Sequence, residues 1–142
     1  LGIDLEIQNL DIGAYVQMAF GDMPADERVS FFPATWGPDY DDAYNHLWPQ
    51  VSCDAWQSGN AGHFCNERVE ELLNAARDAA DDDAYDRALA EIQETLSDDD
   101  PAAIYFARPE WVTVLRADIG GYQMNPVVSA LFDWYALHRI QS

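Results

Sequence analysis

The sequence predicts an α/β chain: a strand–helix–strand unit, a pair of amphipathic helices, and strands that return after them. Three observations carry this expectation. Ile3, Leu5 and Ile7 alternate with Asp4, Glu6 and Gln8, as in a half-buried strand. Val69, Leu72, Leu73, Ala76 and Ala80, and then Tyr85, Ala88, Leu89, Ile92 and Leu96, recur at helical spacing. Ala102 to Phe106, Trp111 to Leu115 and Asp133 to Ile140 read as strands.

Taken in order, Asn9-Leu10-Asp11 ends the first strand, and Asp11 caps a helix over Ile12 to Phe20 that Gly21 stops. The acidic link Asp22 to Arg28 leads to a second strand, Val29 to Ala34. Strand, helix, strand is a βαβ unit, so the two strands are expected to be parallel. Pro33 breaks the run, and Trp36, Gly37 and Pro38 form an aromatic-glycine-proline corner followed by Asp39, Tyr40, Asp41 and Asp42. Ala43 to Trp48 is a short helix ended by Pro49. Asn66 caps the first long helix, Asp81-Asp82-Asp83 breaks it and caps the second, and Asp98-Asp99-Asp100-Pro101 ends the pair. Gly120-Gly121 makes a turn.

The hydrophobic share of 49% over 142 residues is enough for a core. A net charge of -19, from 26 acidic and 7 basic residues, repels nucleic acid and anionic membranes. Every basic residue is Arg. No apolar run approaches the roughly 18 residues of a membrane helix. The chain opens Leu1-Gly2-Ile3 without an initiator Met, as expected of a piece of something longer whose targeting segment lies outside it.

The chemistry-bearing candidate is the corner. In α/β sheets, ligands bind beyond the carboxyl ends of strands. An indole and a carboxylate three residues apart, Trp36 and Asp39, offer an organic cation a ring face and a counter-charge, with Gly37 and Tyr40 beside them. The competing reading makes Trp36 a core aromatic and Asp39, Asp41 and Asp42 turn and capping residues.

Cys53 and Cys65 flank a Gly-, Ser- and Asn-rich loop, the pattern of a disulfide formed in an oxidising compartment. Metal binding with His46 and His63 is the alternative, although the spacing matches no zinc pattern. The Asp98–Asp100 cluster lacks EF-hand spacing and reads as a solvated helix end. No nucleophile elbow, zinc-protease helix or phosphate loop occurs, and His46, His63 and His138 have no evident nucleophile partner. No enzyme, cofactor or metal is expected.

The order of these pieces resembles the C-terminal part of the family 5 extracellular solute-binding proteins, the dipeptide and oligopeptide receptors of ABC importers. The resemblance runs through nearly the whole chain. It rests on Gly2-Ile3, Trp36-Gly37-x-Asp39-Tyr40-x-Asp42, Asn66-x-x-Val69-x-x-Leu72-Leu73, Arg87, Glu91-Ile92-Gln93, Asp100-Pro101-Ala102, and Val114-x-Arg116 leading to Gly120-Gly121-Tyr122. One departure is Ala43 after Asp42, where the family's corner often continues with proline.

The resemblance implies part of a type II periplasmic-binding-protein fold, a fragment of a two-lobed receptor that closes over its ligand. Residues 1–100 would belong mainly to one lobe, and 101–142 would return toward the other. It implies a periplasmic or extracytoplasmic monomer that binds peptides and delivers them to a membrane permease. Asp39 would then pair with the peptide's α-amino group and Trp36 would line the pocket. Gly37 or Pro38 would offer backbone groups. The Cys53–Cys65 loop is similar to the disulfide loop of the dipeptide-binding branch. Other branches carry nickel chelates, opines or sugars. A sensing or interaction module is the next alternative, and an enzyme using Asp39, Asp41 or Asp42 as paired acid and base is the last.

Overall fold

Asn66 opens the helix against which most of the core packs. In the computed structural model, which describes residues 2–107, 110, 112–125, 127 and 132–140, its Oδ1 accepts the backbone N–H groups of Arg68 and Val69. Glu67 and Glu70 in the first turn and Arg77 in the last complement the helix dipole.

Four α-helices are described: α1 (Ile12–Phe20), α2 (Ala43–Val51), α3 (Glu67–Arg77) and α4 (Asp82–Glu94). Asp11, Asp42, Asn66 and Asp81 cap them through their side chains. The capping expectations at Asp11, Asn66 and Asp81 therefore hold, as does the end of α1 at Gly21. Beyond α4 a wider π turn, Thr95–Asp99, carries the chain to Pro101. Ala80 lies past the end of α3 and is exposed, so it drops out of the expected stripe.

The two long helices pair through Val69, Leu72, Leu73 and Ala76 on α3 and Ala88, Leu89 and Ile92 on α4, with Leu96 and Val51 completing a buried cluster. Tyr44, Leu47, Trp48, Phe64 and Tyr85 pack against its edge. Each large apolar side chain removed from water contributes about 1.5–3 kcal/mol. Arg68 bridges to Glu91 at 2.7 Å across the helix pair, but both side chains are more than half exposed, which limits the pair to about 1 kcal/mol.

The disulfide loop sits on this core. Cys53 and Cys65 are joined, so neither is a free thiolate for a metal. Asn60, 2% exposed, organises the loop: its Nδ2 donates to the carbonyls of Ser52 and Phe64, and its Oδ1 accepts the Phe64 N–H. Glu70 on α3 ties the loop down by accepting from Ser52 Oγ and the Cys53 N–H.

The βαβ expectation is not met. Residues 2–10 and 29–34 form no strand, and Ile3, Leu5 and Ile7 are 69%, 70% and 84% exposed. Ala102 to Phe106 and 112–115 are likewise unpaired, with Ile104, Phe106, Val112 and Val114 exposed; Trp111, Arg108 and Pro109 lie outside the described residues. Alternation is a local signal, whereas a strand exists only where another backbone completes its ladder. The described sheet is a two-residue antiparallel pair, β1 (Ile119–Gly120) with β2 (His138–Arg139). The expected strand Asp133 to Ile140 shrinks to β2, preceded by a 3₁₀ turn over Trp134–Ala136. The turn expected at Gly120-Gly121 lies instead at Ala117-Asp118, closed by the Ile119 N–H to the Arg116 carbonyl, and Gly120 itself belongs to β1. Gly121 has φ +81°, and a Cβ there would lie 1.9 Å from the Ala136 carbonyl oxygen. The molecule is thus a small, helix-rich mixed domain with a two-stranded sheet.

Candidate functional site

Pro49 does not end α2; the helix runs through it to Val51. Proline has no N–H, so the carbonyl of Asn45, four residues earlier, has no helical donor at position 49. That carbonyl accepts the indole Nε1–H of Trp36 at 3.0 Å instead. The Asn45 side chain, 7% exposed, accepts the backbone N–H of Asp39 through Oδ1 at 2.7 Å. The corner is therefore clamped to α2 at both ends.

Trp36 is half-buried, with its N–H committed to the helix, which leaves its ring as the part able to meet a ligand. Gly37 is exposed, with open space where a Cβ would stand. Asp39 is exposed, and among the described residues its carboxylate has no hydrogen-bond or ion-pair partner. Tyr40 is 54% exposed, and its carbonyl accepts the Asp42 N–H at 2.9 Å. The turn-and-cap reading applies to Asp42, whose Oδ1 accepts from the Tyr44 N–H and from the Tyr85 hydroxyl. Burial, and then the hydrogen bond to Asp42, push the Tyr85 hydroxyl up to about 12.

Beside the corner lies an open hollow of about 470 Å³ between the start of α2, the end of α3 and the start of α4. Tyr40, Tyr44 and Tyr85 supply its aromatic walls, and Asp42, Asp81, Asp82 and Arg77 its charge. Of the four candidate residues, Tyr40 alone reaches this hollow; Trp36, Gly37 and Asp39 do not line it. Asp39 stands on an exposed corner outside this hollow.

His63, weighed as a metal ligand, has φ 52° and stacks on Trp56 with ring centroids 5.5 Å apart. Burial, and secondarily the charge of Arg28, lower its pKa. Among the described residues no three His, Cys, Asp or Glu side chains gather around a common point suited to a metal ion.

The residue that sequence reasoning passed over is Asn45. The signal was available: a proline well inside a capped helix identifies the carbonyl four residues earlier as one that needs an outside donor.

The chain is 28% identical over 127 residues to Di/tripeptide-binding protein 4 of Pseudomonas aeruginosa (strain UCBPP-PA14), a match covering 89% of this chain and 23% of that relative. The chain thus spans less than a quarter of the relative's length. No family model matches it, and no solved structure matches it.

Proposed function

We propose that this chain is a C-terminal portion of a family 5 solute-binding protein that takes up peptides outside the cytoplasm and hands them to an ABC permease. Asp39 is then the acceptor for the peptide's α-amino group and Trp36 the adjoining wall. The single observation that carries this reading is the Asp39 carboxylate. Its backbone N–H is anchored on Asn45, the residue that also holds the Trp36 indole, and the carboxylate has no partner of its own among the described residues. The likeness to a di/tripeptide-binding protein across most of the chain supports the substrate class.

In this mechanism the receptor is a monomer with two lobes, and residues 1–100 and 101–142 contribute mainly to different lobes. The exposed corner would be covered when the second lobe closes. Closure lowers the local dielectric and strengthens the ammonium–carboxylate pair, against the cost of stripping water from both charges. A ligand shifts the open–closed balance only by its preference for the closed form. The alternating segment Ile3 to Ile7 and the apolar run Ile104 to Phe106, both exposed, have the pattern of strands whose partners lie elsewhere in a longer chain.

The test is calorimetry on the full-length protein with a dipeptide and its N-acetyl derivative. Removing one member of a closed-in charge pair costs about 2–5 kcal/mol. Asp39→Asn is therefore expected to weaken dipeptide binding at least about tenfold, and N-acetylation to do the same to the unmodified protein. Equal affinity for the free and acetylated peptides removes Asp39 from the site. Absence of peptide binding overturns the reading.

A further inference from the structure

We infer that Asn45 is the positioning residue for the Asp39 carboxylate, and that Pro49 frees its carbonyl to hold the Trp36 indole. This rests on reading Trp36–Asp39 as the peptide-binding corner. Between Ala34 and Asp39, two hydrogen bonds hold the chain among the described residues: the Trp36 indole to the Asn45 carbonyl, and the Asp39 N–H to Asn45 Oδ1. Both end on one residue.

The division of labour follows from elementary hydrogen-bond accounting. A buried carbonyl without a donor is costly, and a helical proline creates one four residues upstream. The indole of Trp36 satisfies it, which fixes the ring against α2. The side chain of Asn45, buried beneath the corner, then fixes the backbone of Asp39. Because the Asp39 carboxylate has no bond of its own among the described residues, its position is inherited from this backbone. A binding carboxylate must be held to within about 0.5 Å to keep its geometry. Asn45 supplies that constraint without touching the ligand, so its amide is not consumed by binding.

The experiment uses the full-length protein, with the dipeptide as probe, and compares Asn45→Leu, Asn45→Asp, Pro49→Ala and Asp39→Asn. Two readouts are taken: dipeptide Kd by calorimetry, and hydrogen exchange at the Asp39 amide and the Trp36 indole by NMR. Asn45→Leu is expected to speed Asp39 amide exchange and raise Kd at least about fivefold. Added to Asp39→Asn, it is expected to cost little more, since both act through one carboxylate. Asn45→Asp keeps an acceptor oxygen, so it is expected to retain amide protection and bind within about threefold of the parent. Pro49→Ala restores a helical N–H that competes for the Asn45 carbonyl, so Trp36 indole exchange is expected to quicken.

Unchanged Asp39 protection in Asn45→Leu overturns the positioning role, as does a fully additive loss in the double variant. Unchanged indole exchange in Pro49→Ala overturns the part given to Pro49. A parent-like Kd in Asp39→Asn defeats the peptide-corner reading itself and with it the binding role of Asn45. Should Asn45→Leu fail to fold, Asn45→Ala takes its place with the same two readouts, and unchanged Asp39 protection in it overturns the positioning role in the same way.

Discussion

The Tyr85 hydroxyl on α4 donates to Asp42 Oδ1 at 2.5 Å, so the cap of one helix is held by the flank of another. Asp42 Oδ1 also accepts the Tyr44 N–H at 2.8 Å, which makes one oxygen the junction between the corner, α2 and the helical pair. The corner's placement over the core depends on this junction as well as on Asn45.

That relationship sets an alkaline limit. An ordinary tyrosine loses its proton near 10, whereas Tyr85 is pushed up to about 12 by burial and by Asp42. Between those values the folded state holds a proton that the unfolded state has released. Stability present below about pH 10 is therefore lost as pH rises toward 12. Thermal midpoints followed through this range are expected to fall more steeply for the parent than for Tyr85→Phe. Parallel slopes would remove Tyr85 as the cause.

The disulfide closes a loop with a sequence separation of 12 between Cys53 and Cys65. Replacing both by Ser is expected to cost about 3 kcal/mol in urea unfolding, chiefly through the freed unfolded chain. Asn60 and Glu70 continue to hold the loop in the folded state, so the helical signal before the transition is expected to be unchanged. A loss of helix without denaturant would contradict this.

The core makes an ordinary but sharp forecast. Leu73 is 1% exposed and Ile92 is fully buried, and truncating either to Ala is expected to cost about 2–5 kcal/mol. A loss under about 1 kcal/mol at both sites would mean that the α3–α4 pair is not the stabilising core.

The unpaired segments make the last forecast. In the longer receptor proposed above, backbone amides at residues 3–7 and 102–106 are expected to be protected from hydrogen exchange. In the 142-residue chain alone they are expected to exchange freely. Equal exchange in both would show that these residues are loops in the whole protein too.

What could be read without coordinates was local. Asp11, Asn66 and Asp81 announce helix starts because a short polar side chain satisfies the backbone N–H groups of its own next turn. The stripe from Val69 to Ala76 announces a buried face because helical geometry brings those positions together. The Cys53–Cys65 pair was legible, ahead of the metal alternative, from two cysteines flanking one Gly-, Ser- and Asn-rich loop.

The misreadings were non-local. Ile3 to Ile7 alternate as a strand does, but alternation describes one edge of a ladder and says nothing of the other. Pro49 read as a helix stop because a missing N–H was weighed without the outside donor, the Trp36 indole, that offsets it.

The amino-acid order by itself therefore determined α1, α3 and α4 with their caps, the covalent loop and the residue types at the corner. Only the tertiary structure decided that the Trp36 indole and the Asp39 backbone both anchor on Asn45, and that Tyr85 closes over Asp42. The physical reason is range. A cap or a stripe is completed within a few residues along the chain, whereas a hydrogen bond across 43 residues, as from Tyr85 to Asp42, exists only once packing has brought its two ends together.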